Sequence, residues 1–178
     1  MQKLQLDVLF QIFGIGAASG LVYNNDALFI IADNSTFLYE YKIHEKELYN
    51  IKLSQNSQQN IVKKEKPDFE SISIKDNKLY MFGSGSTNQR MKCFTYDLKS
   101  KKIVKKDISA LYYKLKKIAA IGDEDFNIEG AYFYNKNWYL LQRGNGANAK
   151  NGIFIVARQN NKTKFVPVLL PKINQVAT

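Results

Sequence analysis

Short apolar runs separated by polar turns recur along the chain in a repeating order. Three stretches of 16 residues align without gaps, beginning at Ser19, Glu70 and Glu129. In each stretch an apolar residue stands four positions after the start, a polar turn follows, and a second apolar run begins nine positions after the start. Short apolar runs bounded by turn residues predict strands. The repeat therefore predicts three β-hairpins of one design.

Each predicted hairpin is followed by a polar loop, a third apolar run, a charged turn and a fourth apolar run. Four antiparallel strands in about 45 residues are typical of one blade of a β-propeller. A single blade cannot bury both of its faces, so neighbouring blades must stack. We predict an all-β fold of three four-stranded antiparallel blades, at about 17–53, 68–108 and 127–170.

Two segments interrupt the repeat. Residues 108–118 place Leu111, Leu115 and Ile118 on one helical face, which predicts a short helix over the rim of the blades. Residues 54–66 are polar and basic, and they predict a connector between the first and second blades.

Three blades do not close a ring, because β-propellers generally have four to eight. The chain is therefore predicted to form half of a six-bladed ring. Residues 1–13 predict one extra strand, suited to complete the last blade of that ring. The second half would come from a C-terminal region beyond Thr178 or from a second copy of the chain.

The glycines at the start of the first repeat resemble a dinucleotide-binding loop, G-x-G-x-x-G. In that loop the glycines lead into a helix whose N–H groups bind the phosphates, whereas Gly20 leads into a strand pattern. Ser19 also replaces the last glycine of the motif. Nucleotide binding is therefore rejected, and the glycines are interpreted as a close-packed entry into an innermost strand.

The net charge of +10 is carried almost entirely by lysine, with arginine only at positions 90, 143 and 158. Arginine is the commonest reader of base edges, so nucleic acid is not a predicted partner. No apolar run approaches the about 20 residues that span a bilayer, so no membrane partner is predicted either. The single cysteine, Cys93, excludes an intrachain disulfide and leaves the compartment open between cytoplasm, periplasm and the outside of a cell.

The candidate site follows from the hairpin geometry. In an antiparallel hairpin the start of the first strand lies beside the end of the second. First strands line the axis of a propeller, so their entry residues are predicted to converge in an axial funnel. The predicted metal ligands are Asp68, Glu70, Asn127 and Glu129, and the other predicted funnel residues are Ser19, Asp33, Ser84 and Arg143.

The chemistry of this funnel has several interpretations. Oxygen ligands from separate loops suit Ca²⁺, and a bound metal or a raised pKa relieves the repulsion between adjacent carboxylates. The same carboxylates could instead accept backbone N–H bonds and hold neighbouring blades in register. The leading hypothesis is a binding module for a small ligand or divalent cation. The alternatives are a metal-dependent hydrolase of phosphate esters or lactones, and a protein-interaction scaffold.

Four stretches carry a resemblance to a known family: GIGAASGLVY, ADNSTFLYEYKI, KPDFESISI and NIEGAYFYNKNWYLLQRGNG. They resemble a family of uncharacterised six-bladed β-propellers found mainly in Bacteroidetes, and the resemblance corresponds to the N-terminal part of that family. More distantly, blades that open with S-G or D-x-E-G are similar to SdiA-regulated and phytase-esterase-like propellers. These relatives imply a Ca²⁺ or other divalent metal and hydrolytic activity.

Overall fold

The computed structural model describes residue 5 and residues 7–145, 150–157 and 162–169. These residues form three four-stranded antiparallel sheets, in which each strand pairs with the next strand along the chain. The first sheet contains β1 (Ala18–Asn24), β2 (Ala27–Ala32), β3 (Phe37–Lys42) and β4 (Glu47–Lys52). The second contains β5 (Phe69–Lys75), β6 (Lys78–Gly83), β7 (Lys92–Asp97) and β8 (Ile103–Asp107). The third contains β9 (Ile128–Tyr134), β10 (Asn137–Gln142), β11 (Gly152–Ala157) and β12 (Thr163–Pro167).

The predicted fold class, three four-stranded antiparallel blades with one short helix, is confirmed. The first hairpin of each sheet turns on two residues with φ between 44° and 65°: 25–26, 76–77 and 135–136. Two consecutive residues of positive φ form the tight turn that matches the twist of paired strands, and Asn and Asp adopt it readily. Positions 146–149, 158–161 and 170 of the predicted third blade lie outside the described residues.

The three sheets are arranged around their first strands. β1 contacts β5, and β5 contacts β9, so the innermost strands follow one another in chain order. The first and second sheets share one hydrophobic core, in which the rings of Phe69 and Phe94 meet edge to face at 5.3 Å. The second and third sheets meet at Trp138, whose ring lies 5.0 Å from Tyr80 and 5.2 Å from Phe82.

The predicted helix is present as α1 (Ser109–Ala119), but its buried face differs from the prediction. Tyr112, Leu115, Lys116 and Ala119 are buried, whereas Ile118 is 41% exposed. Tyr112 takes the central position because its hydroxyl donates a hydrogen bond of 2.8 Å to the carbonyl of residue 83, which satisfies the polar end of a buried ring. Among the described residues, no helix has the length and apolar character needed to cross a membrane.

The segment before β1 packs on the first sheet. Phe10 stacks on Tyr41 at 5.4 Å between ring centroids, and Ile12 and Ile15 lie against the buried residues on the same face. Residue 5 and residues 7–13 have no strand pairing here, and residues 1–4 and 6 lie outside the described part of the chain. Completion of a last blade by residues 1–13 stays a prediction, because it needs blades beyond the three sheets.

Candidate functional site

A β-bulge begins the innermost hairpin of every sheet. The pairing register of each hairpin skips one residue: Ser19 in the first sheet, Glu70 in the second and Glu129 in the third. A bulge leaves the extra residue unpaired and redirects its side chain, and bulges are common beside functional sites. The three repeat-start residues are thus displaced from the regular ladder in the same way.

The bulges lie at one rim, where backbone hydrogen bonds link the sheets. The N–H of Asp68 donates to the carbonyl of Asp33 at 3.0 Å, which joins the second sheet to the first. The N–H of Ile128 donates to the carbonyl of Ser84 at 2.8 Å, which joins the third sheet to the second. Backbone carbonyls therefore accept these N–H bonds between the blades. From the sequence, the carboxylates were the alternative acceptors.

Three acidic side chains meet at this rim. Each of Asp33, Asp68 and Glu70 offers a carboxylate oxygen, and these oxygens all lie within 4.8 Å of one another. Asp68 is buried, with 5% of its surface exposed. It stands just before β5 and has a positive φ of 54°. The three residues come from two different sheets, so the cluster exists only when the blades are assembled.

Two cations that sequence analysis missed neutralise part of this cluster. The Lys66 ammonium forms ion pairs with Asp33 and with Asp68, the latter at 2.7 Å. The Arg90 guanidinium donates to the second carboxylate oxygen of Asp68 at 2.9 Å, and the Ser84 hydroxyl donates to that oxygen at 2.5 Å. Burial lowers the pKa of Lys66, but its bonds to Asp33 and Asp68 outweigh burial and leave that pKa above its ordinary value.

Glu70 is the carboxylate of this cluster with which neither cation pairs. Among the described residues, no hydrogen-bond donor or cation lies within bonding distance of it. Burial, followed by the charges of Asp68, Glu129 and Asp33, raises the pKa of Glu70 to about 7, and Lys66 opposes this only in part. This pKa is higher in the folded protein than in the unfolded chain. The contribution of Glu70 to the free energy of unfolding is therefore lost as pH rises through about 7.

The third sheet supplies a second, smaller group. Asn127 donates a side-chain hydrogen bond to Glu129, and the Arg143 guanidinium lies 3.5 Å from the same carboxylate. Gln142, which is buried, accepts the backbone N–H of Asn127 at 3.0 Å and so positions that residue. The N–H of Ile128 binds the carbonyl of Ser84, whose hydroxyl binds Asp68, so the two groups lie at the same rim, and the charge of Glu129 contributes to the raised pKa of Glu70.

The structure therefore brings most of the predicted funnel residues to one rim and gives them different roles. Asp33, Asp68 and Glu70 form the tight cluster, and Ser84 binds Asp68. The Ser19 hydroxyl donates to the backbone carbonyl of Phe69 and links the first two blades. Lys66 was missed because it belongs to a polar connector, and Arg90 because it lies in the loop between β6 and β7; their charge was the one available signal.

Residues 14–178 match a family described as a family of unknown function, DUF6929. The protein belongs to the DUF6929 family. No curated protein matches this DUF6929 chain.

Three solved structures show what this DUF6929 protein is similar to. The WD40 repeats of RRP9 share 10% identity with a TM-score of 0.46, over 84% of this chain and 39% of that one. Sqt1 of Saccharomyces cerevisiae shares 11% with a TM-score of 0.43, over 78% and 29%. PorZ, a surface component of the type-IX secretion system of Porphyromonas gingivalis, shares 10% with a TM-score of 0.44, over 84% and 16%. The chain thus spans between 16% and 39% of the length of these three structures.

Proposed function

We propose that this protein is a β-propeller binding module whose axial funnel binds a divalent cation. Ca²⁺ is the cation with which the proposal is tested. The observation that carries the proposal is the carboxylate of Glu70, which has no hydrogen-bond or ion-pair partner among the described residues and lies half-buried beside Asp68, Asp33 and Glu129. An added cation would lower the electrostatic cost of ionising Glu70 in this position.

The donor set fits a hard cation. Carboxylate oxygens are the ligands that Ca²⁺ prefers, at about 2.3–2.6 Å, so two oxygens on one ion are at most about 5 Å apart. The oxygens of Asp33, Asp68 and Glu70 lie within 4.8 Å of one another, inside that limit. The ammonium of Lys66 occupies part of the same cluster, so a divalent cation would have to displace it.

Calcium calorimetry tests the proposal. At pH 8, where most of the Glu70 carboxyl is ionised, we expect the wild-type chain to bind Ca²⁺ and Glu70→Gln to weaken binding by at least about tenfold, because a charged ligand is replaced by a neutral one of equal size. Glu129→Gln is expected to weaken it less, since Glu129 acts on the cluster through its charge.

The matched control is Glu47→Gln, which makes the same substitution on the exposed outer strand β4 and should leave the calcium affinity unchanged. Equal heats from wild type and Glu70→Gln would remove Glu70 from the ligand set. Absence of calcium-dependent heat from the wild type would reject the cation-binding function.

We also propose that further blades cover both ends of the three-sheet array. Leu21 and Tyr23 are 56% and 59% exposed, although the corresponding residues of the second repeat, Ile72 and Ile74, pack in the core between the first two sheets. At the other end Leu141 is 43% exposed, whereas its counterpart in the second sheet is buried. Both outer faces therefore have the apolar character of an interface between blades.

Light scattering tests the proposal of a second copy against that of a C-terminal region. Two chains that complete one ring would give twice the 20.4 kDa mass of a single chain. Leu141→Lys places a charge in the proposed interface and should return the particle to single-chain mass, while Lys105→Gln, on β8, should not. A well-folded wild-type chain that remains monomeric at about 100 μM would contradict a ring made of two copies.

A further inference from the structure

A cavity of about 160 Å³ lies between the second and third sheets and shares no lining residue with the funnel. Its walls come from both sheets and from the helix. Phe82 and Cys93 line it from the second sheet, Trp138 and Val156 from the third, and Leu111 from α1. Phe82 and Cys93 are buried and belong to neither of the two main hydrophobic cores, whereas Leu111 and Val156 pack against the core of α1 and the third sheet, so the space borders that core.

The chemistry of the walls suits an aromatic group. The indole of Trp138 meets Phe82 edge to face, with ring centroids 5.2 Å apart, so an aromatic surface is already in place. A cavity of about 150 Å³ lined by apolar side chains can stay dry and accept a molecule the size of benzene. The present cavity has nearly the same volume, which limits its occupant to about one ring.

One lining residue carries a charge. Lys106 is paired opposite Cys93 across β7 and β8, so its side chain is on the cavity face of the sheet. Among the described residues, no carboxylate lies within ion-pairing distance of Lys106. Burial raises the pKa of the Cys93 thiol to about 12, so the thiol is neutral and does not compensate this ammonium.

We propose that this cavity binds a small aromatic carboxylate. The ring occupies the space between Phe82, Trp138 and Val156, and the carboxylate forms an ion pair with Lys106 at the mouth. Burial of the apolar ring away from water favours binding. The carboxylate also accepts a charge-assisted hydrogen bond from the Lys106 ammonium. This inference is independent of cation binding, because none of its residues belongs to the funnel.

The intrinsic fluorescence of Trp138, the single tryptophan of the chain, reports occupation directly. Titration with benzoate should change this fluorescence with a dissociation constant on the order of 1 mM, as expected for so small a ligand. Lys106→Gln should weaken benzoate at least fivefold. The neutral isostere benzamide should bind wild type and Lys106→Gln equally, because it lacks the charge that the lysine recognises.

The matched control is Lys105→Gln on the same strand, whose ammonium lies over the ring of Phe94 on the opposite face, 5.6 Å from its centroid. It should change benzoate affinity less than twofold. Equal weakening by Lys105→Gln and Lys106→Gln, or unchanged fluorescence at 20-fold the expected dissociation constant, would overturn the proposal.

Discussion

Asp68→Asn is expected to lower the free energy of unfolding by about 3 kcal/mol, because one buried carboxylate holds two cations. Lys66 and Arg90 both bind Asp68, and a neutral amide would leave their charges close together with half of their compensation removed. Asparagine keeps the side-chain volume and tolerates the positive φ of 54°. The decrease in the free energy of unfolding therefore measures the effect of removing the charge. Urea unfolding of wild type and variant measures the difference.

The control for this substitution is Asp26→Asn, in the first hairpin turn. Asp26 has nearly the same backbone conformation, with φ at 58°, but its side chain is 65% exposed. We expect the free energy of unfolding to change by less than about 0.5 kcal/mol. Similar losses from both variants would show that Asp68 contributes no more to stability than an ordinary turn residue. The inference that its charge stabilises the rim by balancing two cations would then be wrong.

Gly85→Ala is expected to destabilise the protein by roughly 3 kcal/mol, through strain and overpacking together. Gly85 has a φ of 76°, and a Cβ atom there would lie closer than 3.0 Å to the rings of Tyr112 and Phe126. Both rings are fully buried between α1 and the third sheet, so neither can turn away into solvent. Thermal and urea unfolding of the variant give the cost.

Gly14→Ala separates the two contributions. Gly14 also has a positive φ, 96°, but the nearest atom to an added Cβ is in the side chain of Leu48 at an ordinary 3.5 Å. The backbone strain alone should cost about 1 kcal/mol. If both glycine variants lost the same stability, close packing of α1 against the loop after β6 would not be the reason for glycine at position 85.

The rim of the three sheets combines two demands on the same residues. Asp68 joins the second sheet to the first through its backbone and holds two cations through its side chain. Glu70, two residues later, has no such partners among the described residues, and burial together with the neighbouring carboxylates raises its pKa. The proposed divalent cation would bind where one carboxylate, Asp68, is already paired with cations and its neighbour, Glu70, is not.

The sequence by itself was sufficient for the strands and for their order. The turns at 25–26, 76–77 and 135–136 and the apolar runs around them depend on residues close together in the chain, so their pattern is visible without the fold. The same reasoning placed α1 within a residue of its observed limits. It also predicted that the first strands start at one end, because four antiparallel strands return the chain to the end at which each sheet began.

Only the tertiary structure decided which side chains meet at that end. Lys66 reaches Asp33 across 33 residues and Arg90 reaches Asp68 across 22, and no local pattern encodes such contacts. The bulges at Ser19, Glu70 and Glu129 depend equally on how the faces of adjacent sheets pack. Hydrophobic periodicity is a property of neighbours along the chain, whereas ion pairs and register depend on the free energy of the assembled blades.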